Sequence, residues 1–149
     1  MLYPSLRLLH LAAIILWVGG GFSLPVVADI RRTLALGTEH GKALHARLVT
    51  TTRLVVPSAV VALLTGVALI QLRGGFSAVA HRFHVALGLS LLVFLVGGAQ
   101  TNPAINVLGR ALASGDHIVA QRAAGKLVWC LRVEDSLRLA ILVLMVIPL

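Results

Sequence analysis

The chain has 149 residues, of which 58% are hydrophobic and 12% charged, with a mean hydropathy of +0.97. Soluble domains carry roughly 25% charged residues, so an ordinary water-soluble domain is excluded and a single integral membrane domain is expected. The net charge of +8 does not argue for nucleic acid, because the basic residues form neither a patch nor a stripe interleaved with aromatics.

Most of those basic residues stand between apolar runs, where they set topology and meet lipid headgroups. The lone cysteine, Cys130, excludes an internal disulfide and is expected to serve packing.

Four apolar segments follow in order, at about residues 6–28, 50–72, 83–101 and 127–148. Each is near the ~20 residues that a bilayer-spanning helix requires. Short connections make neighbouring helices antiparallel, so the expected fold is all-α, an integral membrane four-helix up-down bundle. Val26-Val27-Ala28 resembles a leader cleavage site. The run before it is too long for a leader's apolar core, and the basic pair Arg31-Arg32 follows it, so it is read as a span.

Arg31, Arg32, Lys42 and Arg47 place the first connection in the cytoplasm, and Arg110, Arg122 and Lys126 place the third there. Both termini and the second connection then face outward, with the C-terminus ending at the membrane. The third connection is expected to contain short helices, the second capped by Ser114 or Asp116. His40, His45 and His117 fall in these connections and are expected to be solvated, as is His81 at the outer surface.

His10 and His84 lie a few residues inside the outer ends of spans one and three. At 1.5 Å per residue both sit on the order of 5–8 Å below the outer interface. Two antiparallel helices thus bring imidazoles to one level, an arrangement able to ligate a haem from both faces or to hold it through one ligand and a supporting partner. Gly88, one turn from His84, leaves room for a flat ligand, as do Ala13 and Ile14 one turn from His10. Thr65 and Gly66 of span two fall near the same level, as does Met145, which reads first as packing. Ordinary polar contacts near helix ends, or a different metal or a proton relay, account for the same histidines.

Span four holds LRVEDSLRL, Leu131 to Leu139. Glu134 and Arg138 are spaced for an i, i+4 ion pair and Arg132 and Asp135 for an i, i+3 pair. With Arg53, Asp29, Gln100 and Asn102, all four helices supply polar groups to the cytoplasmic half. These groups read either as a register-fixing salt-bridge network or as a polar chamber for protons, a quinone headgroup or a carboxylated substrate. Arg138 is long enough to reach a haem propionate or another anion.

LHLAAIILWVGG near the N-terminus resembles the opening of the CopD-like and HemJ-like four-helix bacterial membrane proteins. Pro57 with Thr65-Gly66, RFHVALGL in span three and the ending MVIPL continue the resemblance over most of the chain. It implies a bacterial inner-membrane protein binding haem b, with His10 and His84 at the positions of the family's functional histidines. It also implies oxidation of protoporphyrinogen IX with electrons passed to a respiratory-chain partner; CopD-like relatives are linked with copper handling. The HemJ lysine two residues after the third-span histidine is Ala86 here, and the lysine of its terminal K-P pair is Ile147.

The leading expectation is a b-haem redox protein passing electrons to a quinone or respiratory partner, with His10 and His84 as ligands and Arg138 balancing charge. The alternatives are a HemJ-type oxidase acting on a porphyrinogen, and a non-catalytic accessory subunit of a larger membrane complex. A copper transporter is weaker, since the spans hold no methionine ladder or cysteine pair. Glycine-rich stretches such as Gly19-Gly20-Gly21 also suit a homodimer.

Overall fold

The computed structural model describes residues 2–21, 30, 32–35 and 37–146. The described residues form helices and no strand. Asp29 and Ile147, together with the ends of the first and fourth expected spans, lie outside them.

Helix α1 (Leu2–Ile14) runs into a π-turn at Ile15–Gly19. Helix α2 (Thr38–Leu72) is 35 residues long and passes through Pro57. Proline interrupts the backbone ladder by lacking an N–H, and Thr52 and Ser58 bond back to the carbonyls of Leu48 and Leu54 on either side of it at 2.9 Å. Helix α3 (His81–Val96) continues through a second π-turn, Gly97–Thr101, into α4 (Asn102–Ser114). Helix α5 (His117–Val146) returns the full length of that rod.

Three of these rods are long and apolar enough to cross a membrane: Leu2–Gly19, Thr38–Leu72 and His81–Ser114. Residues 127–146 of the fourth expected span lie within α5, whose charged residues set it apart from the other three.

The connections are where the sequence reading needs correction. Residues 38–49, expected as a connection, are helical and extend α2, and the short helices expected in the third connection, at 102–114 and 117–126, are continuous with the neighbouring rods. The third connection reduces to a tight reversal at Gly115 and Asp116. Gly115 takes φ +74°, a left-handed conformation that glycine adopts without penalty, and the Asp116 N–H donates to the Ala111 carbonyl at 3.0 Å. Asp116 Oδ1 then accepts from the Val119 N–H at 3.0 Å. That bond makes Asp116 the cap of α5, while Ser114 bonds back to Ala111.

Helix lengthening creates two cores instead of one. One is built on Ile30, Leu44, Leu48, Leu108, Leu112 and Leu127, where α2, α4 and α5 meet. The other is built on Ala13, Trp17, Val55, Ala62, Val93 and Ile141, where α1, α2, α3 and α5 meet. Helix α1 packs mainly on α2, whereas α3 and α4 pack along α5. Trp17 and Phe94 bridge the α1 and α3 sides, stacked at 6.5 Å and 23°. Cys130 is wholly buried, as packing required.

Close approach of α2 and α4 depends on Gly109. A methyl there would collide with the His45 ring. His45 therefore packs against α4 instead of standing in solvent, whereas His40 and His117 are exposed. Gly109→Ala should lower unfolding free energy by about 1–3 kcal/mol through overpacking. Gly125→Ala, where the added methyl meets open space, should be neutral or stabilising by up to ~1 kcal/mol. Thermal unfolding followed by circular dichroism in detergent checks both, and equal effects would deny the tight crossing.

Candidate functional site

His10 points from α1 toward α2. Its Nδ1 lies 2.9 Å from Thr65 Oγ1, and the Thr65 hydroxyl donates to the Val61 carbonyl at 2.7 Å. A hydroxyl has one proton to give, so with that proton on the Val61 carbonyl it accepts from His10, and Nδ1 is assigned the imidazole hydrogen. In that tautomer the Nε2 lone pair is the ring's ligating function.

Gly66 permits the approach: a methyl there would lie 3.0 Å from His10 Cε1. Thr65 is buried, so the hydrogen bond is shielded from competing solvent.

His10 lines a cavity of about 350 Å3 between the α1–α2 pair and the α3–α5 pair. The volume lies within the ~300–1,000 Å3 of small-molecule sites. Its walls are apolar, with Leu11, Ile14, Phe83, Leu87 and Met145 among them. Its cations are Arg7 and Arg73, both exposed. Arg73 is clasped by Tyr3, with Nε 2.9 Å from the phenol oxygen and the guanidinium 5.9 Å from the ring centroid. The buried Ser90 also lines the cavity, its hydroxyl donating to the Ala86 carbonyl at 2.8 Å.

The structure therefore brings His10, Thr65, Gly66 and Met145 together. His84 and Gly88 do not line this cavity. His84 packs against His81 and Phe76, with ring centroids 5.6 and 5.8 Å away, and its Nδ1 is buried without a hydrogen-bond partner among the described residues. Gly88 is exposed. The inward stripe of α3 is Ala86, Ser90 and Val93, and the azimuth of that stripe turns His84 aside.

Arg138 also lies elsewhere. Its Nη2 pairs with Glu134 Oε2 at 2.5 Å, and its Nη1 pairs with Asp135 Oδ1 at 3.0 Å and donates to the Gly21 carbonyl at 2.7 Å. Thr101 donates to the other oxygen of Glu134. All three charged residues are at most 6% exposed. Asp135 pairs with Arg138; Arg132, the partner expected from spacing, is exposed, as are Arg53 and Gln100. Asn102 does join Glu134 and Arg138, along a separate cavity.

Sequence reasoning missed Arg7, Arg73, Trp17 and Thr101. Arg7 was within reach, because it stands at i−3 from His10 and so shares its helix face. Thr101 carried no signal, since a threonine at a span end is ordinary. Among the described residues, no three His, Cys, Asp or Glu side chains cluster as a metal site.

Removing Arg138 leaves two buried carboxylates without their shared cation. Arg138→Met should therefore cost about 3–5 kcal/mol of unfolding free energy. Adding Glu134→Gln and Asp135→Asn should recover most of that loss, which chemical unfolding of single and triple variants measures. No protein-family model, curated protein or solved structure matches this chain.

Proposed function

We propose that this chain is a multi-pass membrane protein that binds haem b in the His10 cavity and transfers electrons. In this reading α5 completes a four-helix up-down bundle in a bacterial inner membrane, with both termini outside, consistent with the CopD-like and HemJ-like resemblance. The observation that carries the reading is the His10–Thr65 pair. An imidazole whose Nδ1–H is held by a buried acceptor presents a fixed, more basic Nε2, as iron-ligating histidines do.

The other residues suit the group. Apolar walls bury a flat macrocycle, Met145 supplies a thioether to the same cavity as His10, and Arg7 and Arg73 offer cations to carboxylates. Bound haem would supply a one-electron Fe(III)/Fe(II) couple. The chain's contribution is to orient His10 through Thr65, exclude water with Leu11, Ile14, Phe83 and Leu87, and hold anionic substituents at the arginines. A quinone or other respiratory-chain component would take the electron.

The arginines equally suit a porphyrinogen's carboxylates, which keeps protoporphyrinogen IX oxidation as the enzymatic form of this reading. Ala86, 1% exposed, provides no basic group for it. His84, turned from the cavity, is assigned no ligand role.

The test is the visible spectrum of detergent-purified protein, oxidised and dithionite-reduced. Sharp low-spin b-type bands are expected. His10→Ala should abolish them, Thr65→Val should shift the midpoint potential, and His84→Ala should leave them in place. Absence of haem from well-folded protein made in haem-replete cells would overturn the proposal, and loss of the bands in His84→Ala alone would move the ligand to α3.

A further inference from the structure

A second cavity, of about 230 Å3, lies beside the buried ion cluster. Exposed Arg47 and Thr51 of α2 mark its open rim, and Thr101, Glu134 and Arg138 form its polar floor. Both π-turns border it, the first through Trp17 and the second through Gly97, Gly98 and Thr101. π-Turns are rare and recur at functional sites; here two of them converge on one cavity.

Two observations say what fills it. Arg138 is 4% exposed, yet its Nε is buried with no acceptor among the described residues. A buried N–H left unpaired costs roughly 1–3 kcal/mol. The cavity exceeds the ~30 Å3 share of a liquid water several-fold and offers hydroxyl, amide, carboxylate and guanidinium partners, so it meets the conditions for ordered water. Water reaching Arg138 Nε from the rim also reaches Glu134.

The charges decide what that water delivers. Glu134 and Asp135 both pair with Arg138, and adding a proton to one carboxylate removes one negative charge from that group. Glu134 lines the cavity and Asp135 does not. Among the described residues, the remaining titratable or charged groups around Glu134 are Arg47 at the rim and the buried Cys130 thiol with Lys126 beyond it. The Gly21 carbonyl holds Arg138 in place whichever state Glu134 adopts.

We infer that this cavity is a water-filled proton entry chamber ending at Glu134, whose carboxylate takes up and releases protons exchanged with the solvent at the Arg47 rim. In the uptake step a hydronium O–H bond breaks and an O–H bond forms on Glu134; no electron moves. Thr101, which donates to the ionised carboxylate, turns its hydroxyl to accept from the acid. Arg138 keeps its bonds to Asp135 and Gly21 and acts as a positioning residue. The chamber requires no occupant in the His10 cavity.

Infrared difference spectroscopy on the protein in lipid films, titrated between about pH 3 and pH 9 so that the ordinary carboxyl range is included, reads the step directly. A protonated-carboxyl band should appear as pH falls, shift promptly in heavy water, and vanish in Glu134→Gln. Gly98→Leu provides the second test, because an added side chain there meets open space at the cavity wall. Filling the chamber should slow heavy-water exchange of the band by about tenfold or more, exchange then depending on local opening, with thermal stability unchanged. No titrating band over that range, a band that survives Glu134→Gln, or exchange unaffected in folded Gly98→Leu would each overturn the inference. Because none of these readouts uses haem absorbance, failure here is distinct from failure of the haem reading.

Discussion

One guanidinium organises the molecule. Arg138 sits where the two hydrophobic cores meet, and it joins α5 to the residues just past the first π-turn through the Gly21 carbonyl. A buried ion cluster of this kind contributes little net stability compared with an apolar replacement, because desolvation offsets attraction. Its effect is on geometry. The two carboxylates hold the guanidinium from within α5, and the bonds that leave the helix, Arg138 to the Gly21 carbonyl and Thr101 to Glu134, tie its rotation and height to the first and second π-turns. Gly21 is the complementary constraint, since a methyl there would lie 3.0 Å from the guanidinium carbon.

With α5 set in this way, the two cavities fall on opposite sides of a single side chain. Trp17 borders both. One cavity holds the His10 imidazole with Arg7 and Arg73 at its edge; the other has Glu134 and Arg138 at its floor. The separation follows from the small-residue stripe of α3, where Ala86 and Ser90 let neighbouring helices close while Phe94 stacks on Trp17. An imidazole near two exposed arginines and a carboxylate paired with a buried guanidinium are chemically different sites, and Trp17 lines both cavities.

The sequence made depth legible and azimuth much less so. The rise per residue fixes how far His10, Thr65 and Gly66 lie along their helices, and they do meet. The same arithmetic puts His84 at a similar depth, but only packing decides which way α3 faces. Small side chains at Ala86, Ser90 and Val93 win that contest; Leu91 and Leu95 are left outside on the same side of the helix as Gly88. On α5 the charged run showed that polar groups had to find partners. It did not show that Leu131, Glu134, Asp135, Arg138 and Ile141 form the inward stripe, with Arg132 outside it. The helical ends beyond the apolar runs were hidden for another reason. Residues 38–49 and 102–126 mix alanine, leucine and charge in the manner of soluble amphipathic helices, and hydropathy alone reads such segments as connections.

The placement of the two tryptophans has an optical consequence. Trp17 is 4% exposed and borders both cavities, whereas Trp129 is 63% exposed on the outer side of α5. Emission from Trp17 is therefore sensitive to whatever enters either chamber, by energy transfer to a coloured ligand on one side and by polarity on the other. Trp129 samples the surroundings of the protein instead. The native chain thus carries an internal fluorophore at its centre and a reference at its edge, and a Trp129→Phe variant isolates the central signal without adding a label.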